Sequence, residues 1–477
     1  MALDQYLSTP LLISALLLIL TWIIINWLKE NRKLPPGPWG LPILGYWPFI
    51  KTTHLDFAEL SKTYGNVFSF RTVGGRLIIV LNGIKTIKEV LINRADEFDG
   101  RPHGNNLVSW LSEGIGITQE EGQAWSEQRR FFLQTAKNLG FGKLEFEEKI
   151  HDELKSLLRE LRDSDSKPVN IHLLLSYAYN NIISDVLFNK KFDRNYTFAR
   201  NVSNMKQIVE IFTGVRHMLI GFPFDFLVSI PGQRKFQQGR DAIRRFTDGI
   251  VDEMTKNFDP HHVNNYVDAY LQHKNELEKK GKPNSFNDER LKANALNLFF
   301  EGTESTGSTT TSLLLELSKH PDVQKKIQEE LDTVVGRERL PSWIDRPNLP
   351  YLDATIQELY RVAALFLVTT MYSNFKETTI EGYRIPKRSC IVSNLYSINS
   401  DPKLYPNPKK FDPKRFLNAE GKRIKQEGPF PFGLGKRACI GESLAQMEVF
   451  LVISCLLQSF SIPPASEFES FRVIPRD

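Results

Sequence analysis

The sequence predicts a mainly α fold with a small β portion (α+β), built as one large domain behind an N-terminal transmembrane helix. Three observations carry this. Apolar stripes at helical spacing recur through the chain, the longest over residues 287–319. Strand-like alternation is confined to short pieces, residues 67–72 and 76–81 on either side of Gly74-Gly75 among them. Residues 11–28 are apolar except for Ser14, Thr21 and Asn26, and a membrane-crossing helix needs roughly 20 such residues. No Ser/Gly linker, repeat or low-complexity tract divides the remainder of the chain, so the expected division is an anchor at 1–33 and a single domain at 34–477.

Composition narrows the function classes. The 477 residues are 41% hydrophobic and 25% charged, a balance that buries a large core. The net charge of +5 is too mild to argue for nucleic acid, and no basic stripe is interleaved with aromatics. Three cysteines (Cys390, Cys439, Cys455) make no disulfide framework, which fits a reducing compartment. The 9 histidines show no HExxH spacing, which argues against a protein-ligated zinc.

The anchor's start carries only Asp4, while Lys29, Arg32 and Lys33 come after the apolar run, so the segment reads as an uncleaved anchor with the bulk of the chain in the cytosol. Residues 34–42 hold four prolines and form a stiff connector, because proline removes donors and fixes the backbone. Helix is expected over 55–64 and 83–93, and a long loop over 99–119. Helical pattern returns at 147–162, 171–188, 202–219 and 235–257. The aromatic stretch 220–227 is either a loop tucked on the core or a second membrane contact. Residues 261–282 end in a charged run and read as a solvated, mobile connection. Helix resumes at 320–336. An apolar strand is expected over 364–370, further sheet at 385–394, and a last turn at 459–463.

Two stretches carry chemistry. The helix over 287–319, capped by Asn287 or Asp288 and stopped before Pro321, would cross roughly 50 Å at about 1.5 Å per residue. Its middle, Glu301-Gly302-Thr303-Glu304-Ser305-Thr306-Gly307, is a poor helix choice at each position, and such local violations often mark function. Hydroxyls that bond back onto the helix can open its ladder. The second stretch is the loop 429–441. There Cys439 sits in a glycine-rich turn, just before the helical pattern of 442–460. Free amides and the positive end of that helix, with Arg437 nearby, suit a thiolate metal ligand. Gly433 and Gly435 let the backbone lie close against a flat group.

The pattern Phe432, Gly435, Arg437, Cys439 and Gly441 resembles the haem-ligand loop of the cytochrome P450 family, the haem-thiolate monooxygenases, microsomal animal type. Four further motifs stand in the family's order. Trp125 and Arg129 match a Trp-x-x-x-Arg whose donors hold a haem propionate. Gly302, Glu304 and Ser305 match the family's acid–alcohol motif, with Ser305 where Thr is usual and Glu301 where a small residue is usual. Glu358, Arg361 and Arg415 match a buried structural triad, two Arg forks on one carboxylate. Tyr372 stands where a propionate-binding His is expected.

The resemblance implies haem b (iron protoporphyrin IX) with Cys439 as axial thiolate, with Arg437, Phe432 and Tyr372 also at the cofactor. It implies proton delivery by Glu304 and Ser305, with Thr306 able to share the task. The implied reaction inserts one atom of O2 into a lipophilic xenobiotic, steroid or fatty-acid-type substrate at the endoplasmic reticulum membrane. Electrons come from an NADPH-dependent flavoprotein reductase, with cytochrome b5 as a further partner. Phe300, Glu301, Leu365, Phe366, Leu367 and Ile462 are expected to line the pocket. Glu301 would put a carboxylate near the haem face and attract basic substrates, unless it turns into a polar groove. The cations Lys409, Lys410, Lys414, Lys422, Arg423, Lys425 and Lys436 form either an acidic-partner docking face or a solvated surface. Two rivals remain: a family member that rearranges peroxides or dehydrates, against which Glu304-Ser305 argues, and a membrane-tethered haem carrier or sensor.

Overall fold

The computed structural model describes residues 31–192 and 233–476, apart from 43, 73, 74, 103–111, 142, 282, 364, 468 and 469, together with scattered positions between 13 and 29. The expected helix 202–219 and the aromatic stretch 220–227 lie outside the described residues. Of the anchor, Ile13, Leu17, Leu18, Ile19, Trp22 and Ile25 are helical and exposed. Among the described residues, no helix is long and apolar enough to cross a membrane.

Helices dominate. Those that build the body are α1 (Thr53–Tyr64), α2 (Gly122–Asn138), α3 (Leu144–Asp163), α4 (Ile171–Phe188), α5 (Gln233–Lys256), α6 (Tyr266–Lys279), α7 (Asp288–Ser318), α8 (Pro321–Val334), α9 (Pro350–Ala363) and α10 (Glu442–Ser459). The small sheet is made of β1 (Val67–Arg71), β2 (Leu77–Leu81), β3 (Tyr372–Ser373) and β6 (Cys390–Ser393), in the strand order β1-β2-β6-β3. β1 and β2 pair antiparallel, with Phe68 opposite Val80, as the alternation around Gly74-Gly75 predicts. A hairpin of β4 (Thr378–Ile380) and β5 (Tyr383–Ile385) precedes β6, and β7 (Phe460–Ser461) pairs with β8 (Ile474–Pro475).

The long central helix starts where its cap was read: the Asn287 side chain accepts from the Arg290 amide. It packs along α4 more extensively than any other pair of elements. Two glycines permit that approach. A Cβ at Gly302 would come within 2.9 Å of the Ile183 side chain, and one at Gly307 within 2.9 Å of Ser176 Oγ. Their cost in helix propensity is thus offset by close helix packing.

Two expectations about elements are corrected. Within the expected solvated connection 261–282, Tyr266–Lys279 form helix α6 instead. Asn265 caps α6 through the Asp268 amide, and Tyr266, Val267, Tyr270 and Leu271 bury one stripe of it. The charged run that dominated the sequence lies on its other faces, so a short apolar stripe decides the fold. Residues 365–370 form no strand. A single bridge, Val368 to Asn394, stands where a ladder was expected, and Leu367 gives its carbonyl to the Tyr396 amide.

Two members of the expected triad, both on α9, are buried, with Glu358 0% and Arg361 3% exposed; Arg415, outside α9, is half-buried. Arg361 Nε and Nη2 fork onto the Glu358 carboxylate, both at 2.7 Å. Arg415 does not add a second fork. Its Nε stands 3.4 Å from Glu358, while its Nη atoms donate to the carbonyls of Pro406, Asn407 and Lys410. The Asp412 amide takes the remaining place on the carboxylate at 2.8 Å. Arg361→Ala should therefore cost about 3–5 kcal/mol in urea unfolding, since it strands a buried charge. Removing the exposed Lys62–Glu59 pair by Lys62→Ala should stay within about 1 kcal/mol.

Candidate active site

The Cys439 loop is shaped by its backbone. The Cys439 amide donates to the Phe432 carbonyl at 2.8 Å, and Phe432 packs edge-on against Tyr360 of α9. Gly435, at φ +76°, lies so close to the π-helical turn Glu89–Asn93 that a Cβ would fall 1.8 Å from the Leu91 carbonyl oxygen. This glycine is therefore required by protein packing, a reason the sequence alone did not supply. The Gly441 amide bonds toward the Cys439 sulfur from the start of α10. Protein surrounds the accessible thiol on most sides, and poor solvation pushes it up to about 11; the Gly441 amide opposes the shift. The helix end alone thus does not ionise this sulfur.

Beside the loop lies a group of cations. Arg437 is buried against Trp125, its guanidinium carbon 3.6 Å from the ring centroid. Its Nε and Nη2 donate to the carbonyls of Asp99 and Glu120, while Nη1 is buried without a partner. Arg129, one turn beyond Trp125 on α2, donates to the Ala438 carbonyl at 2.6 Å. Arg101 donates to the Thr118 and Met371 carbonyls and lies over the buried Tyr372 ring at 5.3 Å. Among the described residues, none of the three guanidiniums has a carboxylate within ion-pair distance. Burial and the neighbouring guanidiniums Arg101 and Arg129 bring Arg437 down to about 9. Burial raises the Tyr372 phenol, against the pull of the same three cations.

This donor set fits the haem group: buried cations wanting anions, as two propionates would supply, beside a cysteine whose sulfur faces the same region. Trp125, Arg129, Arg437 and Tyr372 are brought together as the sequence suggested. Arg101 was missed, because a lone arginine at the edge of a long loop carries no spacing signal.

The helix α7 presents its polar residues to two sides. Ser305 Oγ donates back to the Glu301 carbonyl at 2.5 Å, and Thr303 to the Phe299 carbonyl at 2.8 Å, the back-bonding expected of hydroxyls there. Glu304 is 1% exposed and faces α4. One of its oxygens, Oε1, takes Ser308 Oγ at 3.1 Å and lies 3.2 Å from His172 Nε2; Oε2 is buried without a partner. His172 had no signal in the sequence. Thr306 is buried. Glu301 accepts from Thr118 Oγ1 at 2.9 Å.

The expected pocket residues are spread out. Phe300 is buried at 6% exposure, Leu365 and Leu367 are half-buried, and Phe366 is 46% exposed. Ile462 is 2% exposed and exchanges both backbone hydrogen bonds with Gln324 of α8. Of the loop cations, Lys436 pairs with Asp96 and Arg423 with Asp353. Lys409, Lys410, Lys414, Lys422 and Lys425 are exposed.

Each guanidinium should contribute to haem retention. Arg101→Met and Arg129→Met should each speed haem transfer to an apo-globin roughly tenfold or more, the weight of one charge-assisted bond. Because burial holds the free thiol protonated at neutral pH, thiolate ligation there releases a proton. Haem affinity of the apoprotein should accordingly rise as pH is raised from about 6.5 to 8.5, and Cys439→Ser should flatten that rise.

Comparison with known proteins identifies the family. The family model described as Cytochrome P450 matches residues 35–471. The chain is 32% identical to Cytochrome P450 2U1 of Rattus norvegicus, with 97% of this chain and 92% of that protein covered. It is 34% identical to Cytochrome P450 2H2 of Gallus gallus (99% and 96% covered) and 36% identical to Cytochrome P450 2C8 of Homo sapiens (92% and 90%). The chain belongs to the cytochrome P450 family, haem-thiolate monooxygenases that use dioxygen and NADPH-derived electrons passed through a reductase.

Proposed function

We propose that this chain is a membrane-bound monooxygenase that inserts one oxygen atom from O2 into a lipophilic substrate of xenobiotic, steroid or fatty-acid type. The observation that carries the reading is the Cys439 loop facing a buried cluster of unneutralised guanidiniums. When bound, haem held by the Cys439 thiolate would supply dioxygen activation.

The protein's own residues do the rest. Cys439 would be the ligand, and the Gly441 amide, hydrogen-bonded to its sulfur, would temper the sulfur's donation. Arg101, Arg129, Arg437, Trp125 and Tyr372 hold the propionates. Phe432, fixed on Tyr360, shields the sulfur side from water. Protons would reach the Glu304 carboxyl from the His172 and Ser308 side and pass through the hydroxyls of Ser305 and Thr306 toward the side where O2 is consumed, one of its atoms leaving as water. For that step Ser305 must release the Glu301 carbonyl. A serine does so more freely than a threonine, being unbranched at Cβ.

The anchor at 1–33 and the catalytic domain at 34–477 belong to the same reading, with the domain on the cytosolic face of the endoplasmic reticulum. The exposed apolar side chains Leu17, Leu18, Ile19 and Trp22, and the cations that come after them, support it. The flavoprotein reductase and cytochrome b5 would dock near the exposed lysines 409, 410, 414, 422 and 425.

With reductase and a panel of lipophilic compounds, the protein should consume NADPH and form a hydroxylated product, and its reduced form should bind carbon monoxide with a thiolate-type spectrum. NADPH use without any product across the panel would contradict the reading. Ser305→Ala should lower product per NADPH several-fold, the difference being released as hydrogen peroxide. Deleting residues 1–33 should move the expressed protein from the carbonate-resistant membrane fraction to the supernatant.

A further inference from the structure

Outside the site described above, α1, the end of α9, the helical turn Tyr396–Asn399 and the Pro408-Lys409 pair enclose a cleft of about 650 Å³. That lies within the range of small-molecule sites, roughly 300–1,000 Å³. The sequence of α1 shapes one wall. Phe57 is buried under the sheet with Leu60 and Tyr64 packed against the same cluster. The stripe Leu55, Ala58, Glu59 and Lys62, at helical spacing, lines the cleft instead. Ala58 is the small member of that stripe and takes up little of the space.

The other walls are fixed. The His54 ring lies 5.0 Å from that of Tyr396, and Asn394 Nδ2 donates to the His54 carbonyl at 3.1 Å, which pins the start of α1 to the helical turn. At the floor, Arg361 Nη1 donates to the carbonyls of Asn399 and Pro408 at 2.9 and 2.8 Å, and Asn399 Nδ2 returns a bond to the Arg361 carbonyl at 3.1 Å. Asn399 Oδ1 is buried there without a partner. The cleft thus stands on the Glu358–Arg361 pair and is held open by it.

Its charges are unequally met. Glu59 pairs with Lys62 at 2.5 Å, and Asp56 accepts the Lys51 and Thr52 amides at 2.6 and 2.7 Å. Lys409 lines the cleft, is exposed, and among the described residues has no carboxylate within ion-pair distance. Apolar surface from Leu55, Ala58, Val362 and Pro408 lies in the same cleft as that free ammonium.

We propose that this cleft is a binding site for an amphipathic organic anion, its charged group on Lys409 and its apolar body along the α1 stripe. The apolar part supplies the hydrophobic share of the affinity, and the ammonium selects the sign of charge.

The test uses the full-length holoenzyme, with 1-phenylimidazole in excess to keep other molecules out of the haem pocket. Two fluorescent probes share one ring system: 8-anilinonaphthalene-1-sulfonate, and N-phenyl-1-naphthylamine, which lacks the sulfonate. Probe emission gives the affinity, and hydrogen exchange gives the place. The sulfonate should protect amides of 55–62 and 396–409. Lys409→Glu should weaken the sulfonate roughly fivefold at low salt, the upper range for an exposed charge pair, and leave the neutral probe within about twofold. Ala58→Trp should weaken both probes roughly tenfold by filling the cleft. Haem content and thermal midpoint report whether each variant folds, and Leu55→Trp, at an exposed position, replaces Ala58→Trp if that protein does not. Protection confined to other segments, or sulfonate affinity that neither substitution changes, overturns the proposal. Equal weakening of both probes by Lys409→Glu overturns it as well, since the charge then plays no part. Binding is read without reductase or turnover, so failure here leaves the monooxygenase reading standing.

Discussion

Charge balance beside the Cys439 loop is the constraint on which the site depends. Arg101, Arg129 and Arg437 converge around Trp125 and Tyr372, and their hydrogen bonds go to backbone carbonyls rather than to carboxylates. Asp99, Glu121 and Glu301 offset part of that charge from beyond ion-pair distance, and anions from outside the chain would offset more of it, because uncompensated buried charge is expensive. The displaced titration of Arg437 and its unpartnered Nη1 are the local signs of that imbalance. A dianionic cofactor resolves it, and the cysteine beside the cluster indicates which one.

The rest of the fold serves to hold the two sides of that site in place. On one side, Gly435 packs on the π-helical turn, Phe432 rests on Tyr360, and Glu358 ties α9 to the segment that leads to the loop. On the other, α7 is seated on α4 by Gly302 and Gly307. That seating divides the polar residues of α7 by direction. Glu304 turns inward to His172, and Glu301 turns toward Thr118. Residues three positions apart thus meet different surroundings and suit different tasks.

Much of this was legible in the sequence. The Asn287 cap, the β1–β2 pairing, the turn of the Cys loop and the Glu358–Arg361 pair of α9 were all marked by residue types whose physics is local. What was not legible depended on contacts across the chain. Arg101 and His172 carry no spacing pattern, and contacts distant in sequence, with Thr118 and Tyr372 for Arg101 and with Glu304 for His172, bring them into the site. The stripe of Tyr266, Val267, Tyr270 and Leu271 was hidden by the charged run after it. An apolar run at 365–370 read as a strand but found only one bridge, since apolar sequence does not by itself provide a neighbour to pair with. The glycines of α7 and of the Cys loop looked like marks of chemistry, and at Gly302, Gly307 and Gly435 the structure shows a packing need as well.

The central claim is that the sulfur of Cys439 is bonded to haem iron, and X-ray absorption at the iron edge tests it most directly. The account predicts one sulfur scatterer in the first shell of the purified holoprotein, absent in Cys439→His. A first shell of nitrogen and oxygen alone in the wild type, or a sulfur scatterer that survives the substitution, would contradict it.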